Sequence, residues 1–401
     1  MKRWTKFTSL IVMAALLVCG CGSRPDENLQ PEESIVHEGE VEYPDYQPKL
    51  DRLKPEAYGQ VSDLNLAPGT YISILGKDSK GAFWKEVQAG IKQAQDDINA
   101  NLGYEGKDKI RVNYNAPDDP TNVDQQINLL DLELDLYPSA LAISILDVQG
   151  CEVQFDLAYQ NGIPIVAFDS GSNYGGFSAR VATNNEKAAR KCADKMAEAA
   201  GEKGQIVIFA HESGSESAMD RVKAFKKQIK EKYPDMKVAS VIYLDKMDKI
   251  KEKMLKKIAK GKYQRKDASG KAIDEKDAEL TIADISDADV EDYVISTKKN
   301  LTGCYATNGD TIMHTLEVLE RNGYENLPVL GFDISEQVLE KVREGKVTGV
   351  ILQNPFGMGY ATVVAAARSA LGMSNQDYVD TKYEWVTKDN IDTEEIQSLI
   401  Y

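Results

Sequence analysis

Six short apolar runs in the sequence are each followed by a small or compact polar residue. The six following residues are Gly76, Ser144, Asp169, Asn308, Asp333 and Gln353. All but the glycine carry a hydroxyl, an amide or a carboxylate, and this mixture offers both donors and acceptors of hydrogen bonds. A polyhydroxylated ligand needs both, because each of its hydroxyl groups donates one bond and accepts others. We therefore predict contacts to a sugar-like ligand at the five polar positions.

A sugar site also needs a flat apolar surface against the C–H faces of the ring. Phe83 and Trp84 lie just past the first apolar run, at the start of a helical pattern. Aromatic residues on a helix usually belong to the core, but neighbouring helical positions point in different directions. Only one of these two rings can point straight into the core. We expect at least one of them to face the ligand.

Arg221 is a further candidate, near the start of the helical pattern that follows the apolar run Ile206–Phe209. Its planar guanidinium can hold two ligand hydroxyls or a carboxylate. A solvated position in the first turn of the helix is the alternative.

The elements that must position these residues alternate along the chain from Thr70 onward, with short apolar runs between helical patterns. The predicted strands are Tyr71–Leu75, Ile110–Val112, Leu141–Ile145, Ile163–Phe168, Ile206–Phe209, Val238–Tyr243, Leu301–Ala306, Pro328–Phe332 and Val347–Leu352. Alternation of this kind is typical of βαβ units and parallel sheets. Ligands of such sheets bind outside the carboxyl ends of the strands, where the polar residues named above would meet.

The segments Asn161–Asp169 and Asn326–Asp333 resemble each other, since each follows a helical pattern and ends in Phe-Asp. Such a repeat indicates two lobes of similar topology. The predicted fold is α/β, with two Rossmann-like lobes whose parallel sheets are joined by a hinge.

Domain boundaries are predicted from composition. Residues 21–68 are polar and acidic with scattered prolines, which is typical of a flexible tether. The predicted N-terminal lobe comprises residues 69–183 and 354–383, and the C-terminal lobe comprises residues 184–353 and 384–401. Residues 256–284 are highly charged with turn residues in the middle, and we interpret them as a surface excursion.

The first twenty residues have the form of an export signal. Basic residues precede an apolar core at residues 10–18, which is too short to span a bilayer stably. The following Gly20-Cys21 resembles the lipobox of bacterial lipoproteins, in which the cysteine becomes the lipid-modified N-terminus. We therefore predict removal of residues 1–20 and a lipid anchor at Cys21 on the outer face of the cell membrane. An ordinary secretory signal is the alternative.

Several classes of function are disfavoured by the sequence. A formal net charge of −16 argues against a nucleic-acid binder, which needs a basic surface to displace counterions from phosphates. The chain has three histidines and no HExxH or GxSxG motif, so we expect no enzyme, cofactor or metal site. Cys151, Cys192 and Cys304 show no metal-binding spacing, and we expect buried free thiols.

Taken in order, the motifs resemble the type I periplasmic sugar-binding proteins, the family that includes the ribose- and galactose-binding proteins. The resemblance extends from about Thr70 to Trp385. The segments that carry it are Ala82-Phe-Trp, Pro117-Asp-Asp with Gln126, IPIVAFDS, the Arg221 helix, ATNGD, VLGFD and GVILQNPFGMGY.

The resemblance implies two lobes that close on a sugar, with hinge strands near Thr183 and Gln353. Ring stacking by Phe83 and Trp84 is implied, together with polar contacts from Ser144, Asp169, Arg221, Asn308, Asp333 and Gln353. It also implies a monomeric protein that delivers its ligand to an ABC transporter permease. Three departures, Ser170, Met247 and Gly309, argue against ribose itself.

Two other functions are found on this fold. A LacI-type regulator would need an N-terminal helix-turn-helix where this chain has an export signal. A sensory component that presents a sugar or a furanosyl autoinducer to a membrane receptor is not separated from an import protein by the sequence.

Overall fold

Residues 43–267, 270–275 and 278–401 are described by a computed structural model of the chain. The predicted signal segment, Cys21 and the first part of the predicted tether lie outside these residues. Residues Pro44–Tyr401 form one unit whose strands fall into two six-stranded sheets.

The two sheets share one topology. The first contains β1 (Tyr71–Leu75), β2 (Arg111–Asn115), β3 (Ala140–Ile143), β4 (Ile165–Phe168), β5 (Phe177–Ala182) and β11 (Tyr378–Asp380) in the order β11-β5-β4-β3-β1-β2. The second contains β6 (Gly204–Ala210), β7 (Met236–Tyr243), β8 (Leu301–Ala306), β9 (Val329–Phe332), β10 (Gly349–Gln353) and β12 (Tyr383–Val386) in the order β12-β10-β9-β8-β6-β7. Pairing is parallel except between β10 and β12. The predicted fold of two α/β lobes with mostly parallel sheets is confirmed.

Helices connect the strands and cover the sheets. They are α1 (Gln47–Leu50), α2 (Ala82–Leu102), α3 (Val123–Asp135), α4 (Glu152–Gln160), α5 (Asn185–Ala200), α6 (Glu216–Lys232), α7 (Asp248–Ile258), α8 (Asp287–Ser296), α9 (Gly309–Arg321), α10 (Glu336–Arg343), α11 (Pro355–Ala370) and α12 (Glu394–Gln397). Asparagine or serine side chains cap several of their first turns, as these short acceptors do well. Within the described ranges, no helix combines the length and the apolar character needed to cross a membrane.

Helices α2 and α11 pack closely on the first sheet, and this contact fixes the start of α2. α11 is buried almost all round, as its continuous apolar sequence requires. A Cβ at Gly90 would lie 2.0 Å from the Phe356 carbonyl oxygen, and one at Gly359 would lie 2.0 Å from that of Val87. Glycine at both positions therefore allows the two backbones to approach.

The predicted tether extends too far along the chain. Residues 44–68 are packed on the first lobe, where Leu50, Leu53, Tyr58 and Leu64 are buried in the core that surrounds α2 and α11. Composition suggested a tether because this stretch is mostly polar with scattered prolines, but its few apolar side chains are enough to fix it. Within the described residues, the lobe thus begins near residue 44 and not at 69.

The predicted surface excursion also begins later than expected. Residues up to Ile258 belong to α7, and Ile258 is buried in the core of the second lobe. Beyond it the chain is folded back around Arg265, which pairs with Glu275 and donates to the Asp284 carbonyl at 2.8 Å.

Three segments cross between the lobes, after Thr183, after Gln353 and between β11 and β12. The Thr183 and Thr381 hydroxyl oxygens lie 3.3 Å apart, and the Asn354 amide donates to the Thr381 carbonyl at 3.3 Å. These crossings lie side by side and form the connection between the two lobes.

Candidate functional site

A cavity of about 430 Å³ lies between the lobes at the carboxyl ends of their strands, and we call it the interlobe cleft. Both lobes contribute to its lining. Seven of the eight predicted site residues line it, namely Phe83, Trp84, Asp169, Arg221, Asn308, Asp333 and Gln353. Lys77, His211, Glu212, Ser217 and Tyr401 line it as well and were not predicted. Cavities of roughly 300–1,000 Å³ are typical of small-molecule sites.

Ser144 differs from its prediction, because it does not line the cleft. Its hydroxyl donates to Asp169 Oδ2 at 2.8 Å, and Ser144 itself is fully buried. Strand β3 ends at Ile143, and the neighbouring strand β4 ends at Phe168. Asp169, which follows β4, therefore covers the side chain of Ser144. Ser144 thus orients the carboxylate that faces the cleft.

Asp169 and Asp333 occupy equivalent positions in the two lobes. Each follows a buried strand, with φ of 54° and 71°, in the left-handed region that aspartate tolerates better than most residues. The backbone N–H of Asp169 donates to Val181 at 3.0 Å, and that of Asp333 donates to Ile351 at 2.8 Å. The repeated Phe-Asp sequence therefore places one carboxylate in each lobe on the edge of the same cleft.

Arg221 is buried and held from several sides. Its Nε donates to Asn185 Oδ1 at 2.8 Å, and its Nη1 donates to the Thr307 carbonyl at 2.6 Å. The guanidinium lies 4.1 Å from the centre of the Phe332 ring, and Nη1 is 4.0 Å from Asp333 Oδ2. The solvated alternative is therefore wrong, and the arginine is fixed beside the cleft.

Gln353 links Asp333 to the cleft. Its amide nitrogen donates to Asp333 Oδ1 at 2.5 Å, while its Oε1 is buried and has no hydrogen-bond partner in the described part of the chain. Burial raises the pKa of Asp333, and this rise is opposed by Arg221 and Gln353. A buried acceptor without a partner is costly, so Gln353 Oε1 is a position where a ligand donor would be favourable.

Asn308 has a structural role besides its place in the lining. Its Oδ1 accepts hydrogen bonds from the Thr311 backbone at 2.9 Å and the Thr311 hydroxyl at 2.5 Å, which caps α9. The amide nitrogen is thus the group that Asn308 can offer to a ligand.

Both predicted aromatic rings face the cleft. The Phe83 and Trp84 rings meet edge to face with centroids 5.3 Å apart, and Trp84 meets Phe168 in the same way at 6.2 Å. Both side chains also pack against the core of the first lobe. The first turn of α2 therefore presents an apolar surface beside the carboxylates.

Comparison with known proteins agrees with this architecture. Residues 72–373 match the family model described as "Periplasmic binding protein domain". The chain belongs to this family. The matched residues include strands β2 to β10 and the strand ends that line the interlobe cleft.

This periplasmic binding protein is similar to a protein named for a polyol and to solved structures that contain sugars. A xylitol-binding protein of Mycolicibacterium smegmatis is 24% identical over 291 residues, which cover 72% of each chain. A carbohydrate transporter solute-binding protein of Agrobacterium radiobacter, in complex with D-arabinose, is 24% identical with a TM-score of 0.64 over 83% of this chain and 99% of that one. An ABC transporter solute-binding protein of Agrobacterium vitis, with bound D-fucose, is 19% identical with a TM-score of 0.65 over 82% of this chain and 100% of that one.

In this binding protein an ion pair joins the two lobes across the cleft. Lys77, which follows β1 of the first lobe, lies 2.9 Å from Glu212 Oε1, which follows β6 of the second. Its ammonium is also 3.5 Å from Asp169 Oδ2. Although burial opposes both shifts, the pairing raises the pKa of Lys77 and lowers that of Glu212. The lysine is therefore charged and balanced by two carboxylates.

A second group of contacts joins the lobes of the binding protein nearer the hinge. Arg180 of β5 pairs with Glu216 at the start of α6, at 2.8 Å. The backbone N–H of Gly171 donates to the other Glu216 oxygen at 2.9 Å, and that of Ser217 donates to the Ser170 hydroxyl at 3.2 Å. The lobes thus touch through charged groups on both sides of the cleft.

Cys151, Cys192 and Cys304 follow the sequence prediction, and His314 is held by a neighbouring carboxylate. Cys151, Cys192 and Cys304 are buried and free, and burial raises the pKa of all three. His314 Nε2 lies 2.5 Å from Glu291, which raises the pKa of the histidine. The histidine is therefore held by a structural hydrogen bond at the edge of the cleft.

Proposed function

We propose that this chain is an extracytoplasmic solute-binding protein that closes its two lobes on a sugar-like small molecule. The observation that carries the proposal is the interlobe cleft itself. There an apolar aromatic surface from one lobe meets buried hydrogen-bonding groups from both lobes. Membership of the periplasmic binding protein family supports it, as do a relative named for xylitol and similar structures that hold D-arabinose and D-fucose.

Charge balance in the cleft favours an uncharged ligand. Lys77 is balanced by Glu212 and Asp169, and Arg221 lies beside Asp333. Both cations therefore have a carboxylate neighbour. An anionic sugar would meet at least as much repulsion as attraction in the cleft. A neutral monosaccharide or sugar alcohol instead supplies hydroxyl donors for the carboxylates and for Gln353 Oε1.

The test is calorimetric titration of the purified mature protein with pentoses, hexoses and pentitols, together with their acid and phosphate derivatives. We expect binding of at least one neutral compound and a smaller scattering radius when it is bound, because closure brings the lobes together. Binding of none, or preference for the acidic derivatives, would contradict the proposal.

We propose that binding depends on pH through Asp333. Burial raises its pKa, which Asp169 also favours, while Arg221, Gln353 and His211 oppose the rise. The ionised carboxylate accepts ligand hydrogens at both oxygens, whereas protonation turns one of these oxygens into a donor. Affinity should therefore be highest above the raised pKa of Asp333 and fall as the pH is lowered through that pKa, which lies above that of an ordinary aspartate. Titrations at falling pH test this, since Asp333→Asn should lose that decline; an unchanged pH profile in the variant would sink the assignment.

We further propose that the protein is anchored by lipid at Cys21 and delivers its ligand, as a monomer, to an ABC-type importer. The anchor is supported by the sequence around Gly20-Cys21, and delivery by the transporter context named for the relatives. Cys21→Ala should move the protein from membrane pellets to the soluble fraction after fractionation of the cells. Equal retention of variant and wild type would overturn the anchor.

A further inference from the structure

Tyr401 brings an aromatic ring from the second lobe into the interlobe cleft. Its ring centre lies 6.3 Å from that of Phe83, which belongs to the first lobe, and the two rings meet edge to face. The contact therefore crosses the cleft at the aromatic surface where a sugar ring would stack.

The Tyr401 hydroxyl is buried, and its proton has no acceptor among the described residues. Burial raises the pKa of Tyr401 well above its usual value, and the nearby carboxylate of Asp333 adds to this. The backbone N–H of Ile334 opposes the rise, but an amide can only donate to the phenol oxygen. The hydroxyl proton is thus left without an acceptor.

The segment that carries Tyr401 is firmly held. Ile391, Ile396 and Leu399 are buried in the core of the second lobe, and the Gln397 amide donates to the Ile391 carbonyl at 2.7 Å. This segment follows the residues 72–373 that match the family model. Its contribution to the cleft is therefore an addition to the matched domain.

We propose that Tyr401 is a ligand-contacting residue, whose hydroxyl donates to a ligand hydroxyl in the part of the cleft bounded by Phe83, Asp333 and Gln353. This inference rests on the proposed function. A buried donor at Tyr401 and a buried acceptor at Gln353 Oε1 both lack partners, and Asp333 lies beside each of them. A hydroxyl group satisfies both needs, because it accepts from the phenol and donates to an amide or carboxylate oxygen. A deoxy position or a methyl group satisfies neither.

The experiment compares Tyr401→Phe with Tyr305→Phe by calorimetric titration with xylitol, D-arabinose, D-fucose and D-tagatose. Tyr305 is a matched control, because its hydroxyl is also buried without a partner but does not line the cleft. Some of these compounds will place a hydroxyl group next to Tyr401 when they bind the wild type. For each of them, Tyr401→Phe should weaken binding by about 5- to 30-fold. Tyr305→Phe should leave affinity unchanged. Neither variant should melt lower than the wild type, since each loses only an unpaired buried group.

The outcomes separate this inference from the proposed function. Unchanged affinity in Tyr401→Phe, for compounds that bind the wild type, would overturn the hydrogen bond even if Tyr401→Ala weakens binding by removing the ring. Equal weakening in both phenylalanine variants would also overturn it. Failure of the wild type to bind any of the four compounds or any other neutral sugar would instead overturn the proposed function, and this inference with it.

Discussion

Replacement of either cleft aspartate should weaken ligand binding strongly: Asp169→Ala and Asp333→Ala are each expected to lower affinity about 10- to 150-fold. Asp169 is buried and Asp333 is mostly buried, each directly after a strand, and each faces the cleft from its own lobe. Removing one carboxylate leaves ligand hydroxyl groups buried without an acceptor. Each such unpaired donor lowers the free energy gained on binding. Calorimetry with whichever neutral sugar binds the wild type measures the loss.

The matched control is Asp235→Ala. Asp235 is exposed and precedes β7, at the amino end of the second sheet and therefore away from the cleft. Asp169 also accepts from Ser144 and lies near Lys77, so its removal will lower thermal stability somewhat. Affinity should accordingly be measured well below the melting temperature of each variant. If both cleft variants bind like the Asp235 variant, the ligand site lies elsewhere.

The fold could be predicted because buried parallel strands are continuous apolar runs. β4 and β9 are buried at every position, and the sequence IVAF or VLGF shows this directly. β5 was missed, because it alternates buried and partly exposed residues and contains Ser178 and Arg180. β11 and β12 were missed because three or four residues with polar members carry too little pattern.

The site could be predicted to the extent that strand ends determine it. Asp169, Asp333 and Gln353 directly follow or end strands, and the structure places them in one cleft. His211 and Glu212 follow the end of β6 and obey the same rule, although they were not predicted. Lys77 is the second residue after β1, whereas the prediction used only Gly76, the residue that directly follows this strand.

Other parts of the structure have no local signal. Tyr401 reaches the cleft through the packing of the residues before it, a long-range contact that spacing cannot show. The segment of residues 44–68 has a composition typical of tethers, yet it packs through scattered side chains such as Leu53 and Leu64. Composition reports an average, whereas a few buried leucines decide whether such a segment is fixed.

The ion pair between Lys77 and Glu212 should control closure of the lobes. Lys77→Met leaves the buried carboxylate of Asp169 and the mostly buried carboxylate of Glu212 with no ammonium between them. Removing one partner of a buried ion pair costs about 3–5 kcal/mol if the charged groups that remain stay buried. Opening the hinge returns the carboxylates to water, so the cost should appear as loss of the closed form and not as unfolding.

The expected result for Lys77→Met is a larger radius in small-angle scattering without added sugar, with little change in melting temperature. If the closed fraction without sugar falls about 100-fold below that of the wild type, in which open and closed forms exchange, apparent affinity falls about 100-fold, because only closed molecules hold the ligand from both lobes. Lys92→Met is the control, since Lys92 pairs with Asp96 on the exposed side of α2 and joins no lobes.

A second variant separates closure from direct contact with the ligand. In Lys77→Met combined with Glu212→Leu, the pair across the cleft is replaced by apolar side chains, a change that is often neutral for a buried pair. We expect the radius to return towards the wild-type value because one of the two uncompensated carboxylates is gone. If affinity stays low in this closed variant, Lys77 or Glu212 also contacts the ligand. If Lys77→Met alone scatters like the wild type, the pair does not hold the lobes together, and the contacts of Arg180 and Glu216 near the hinge are sufficient for closure.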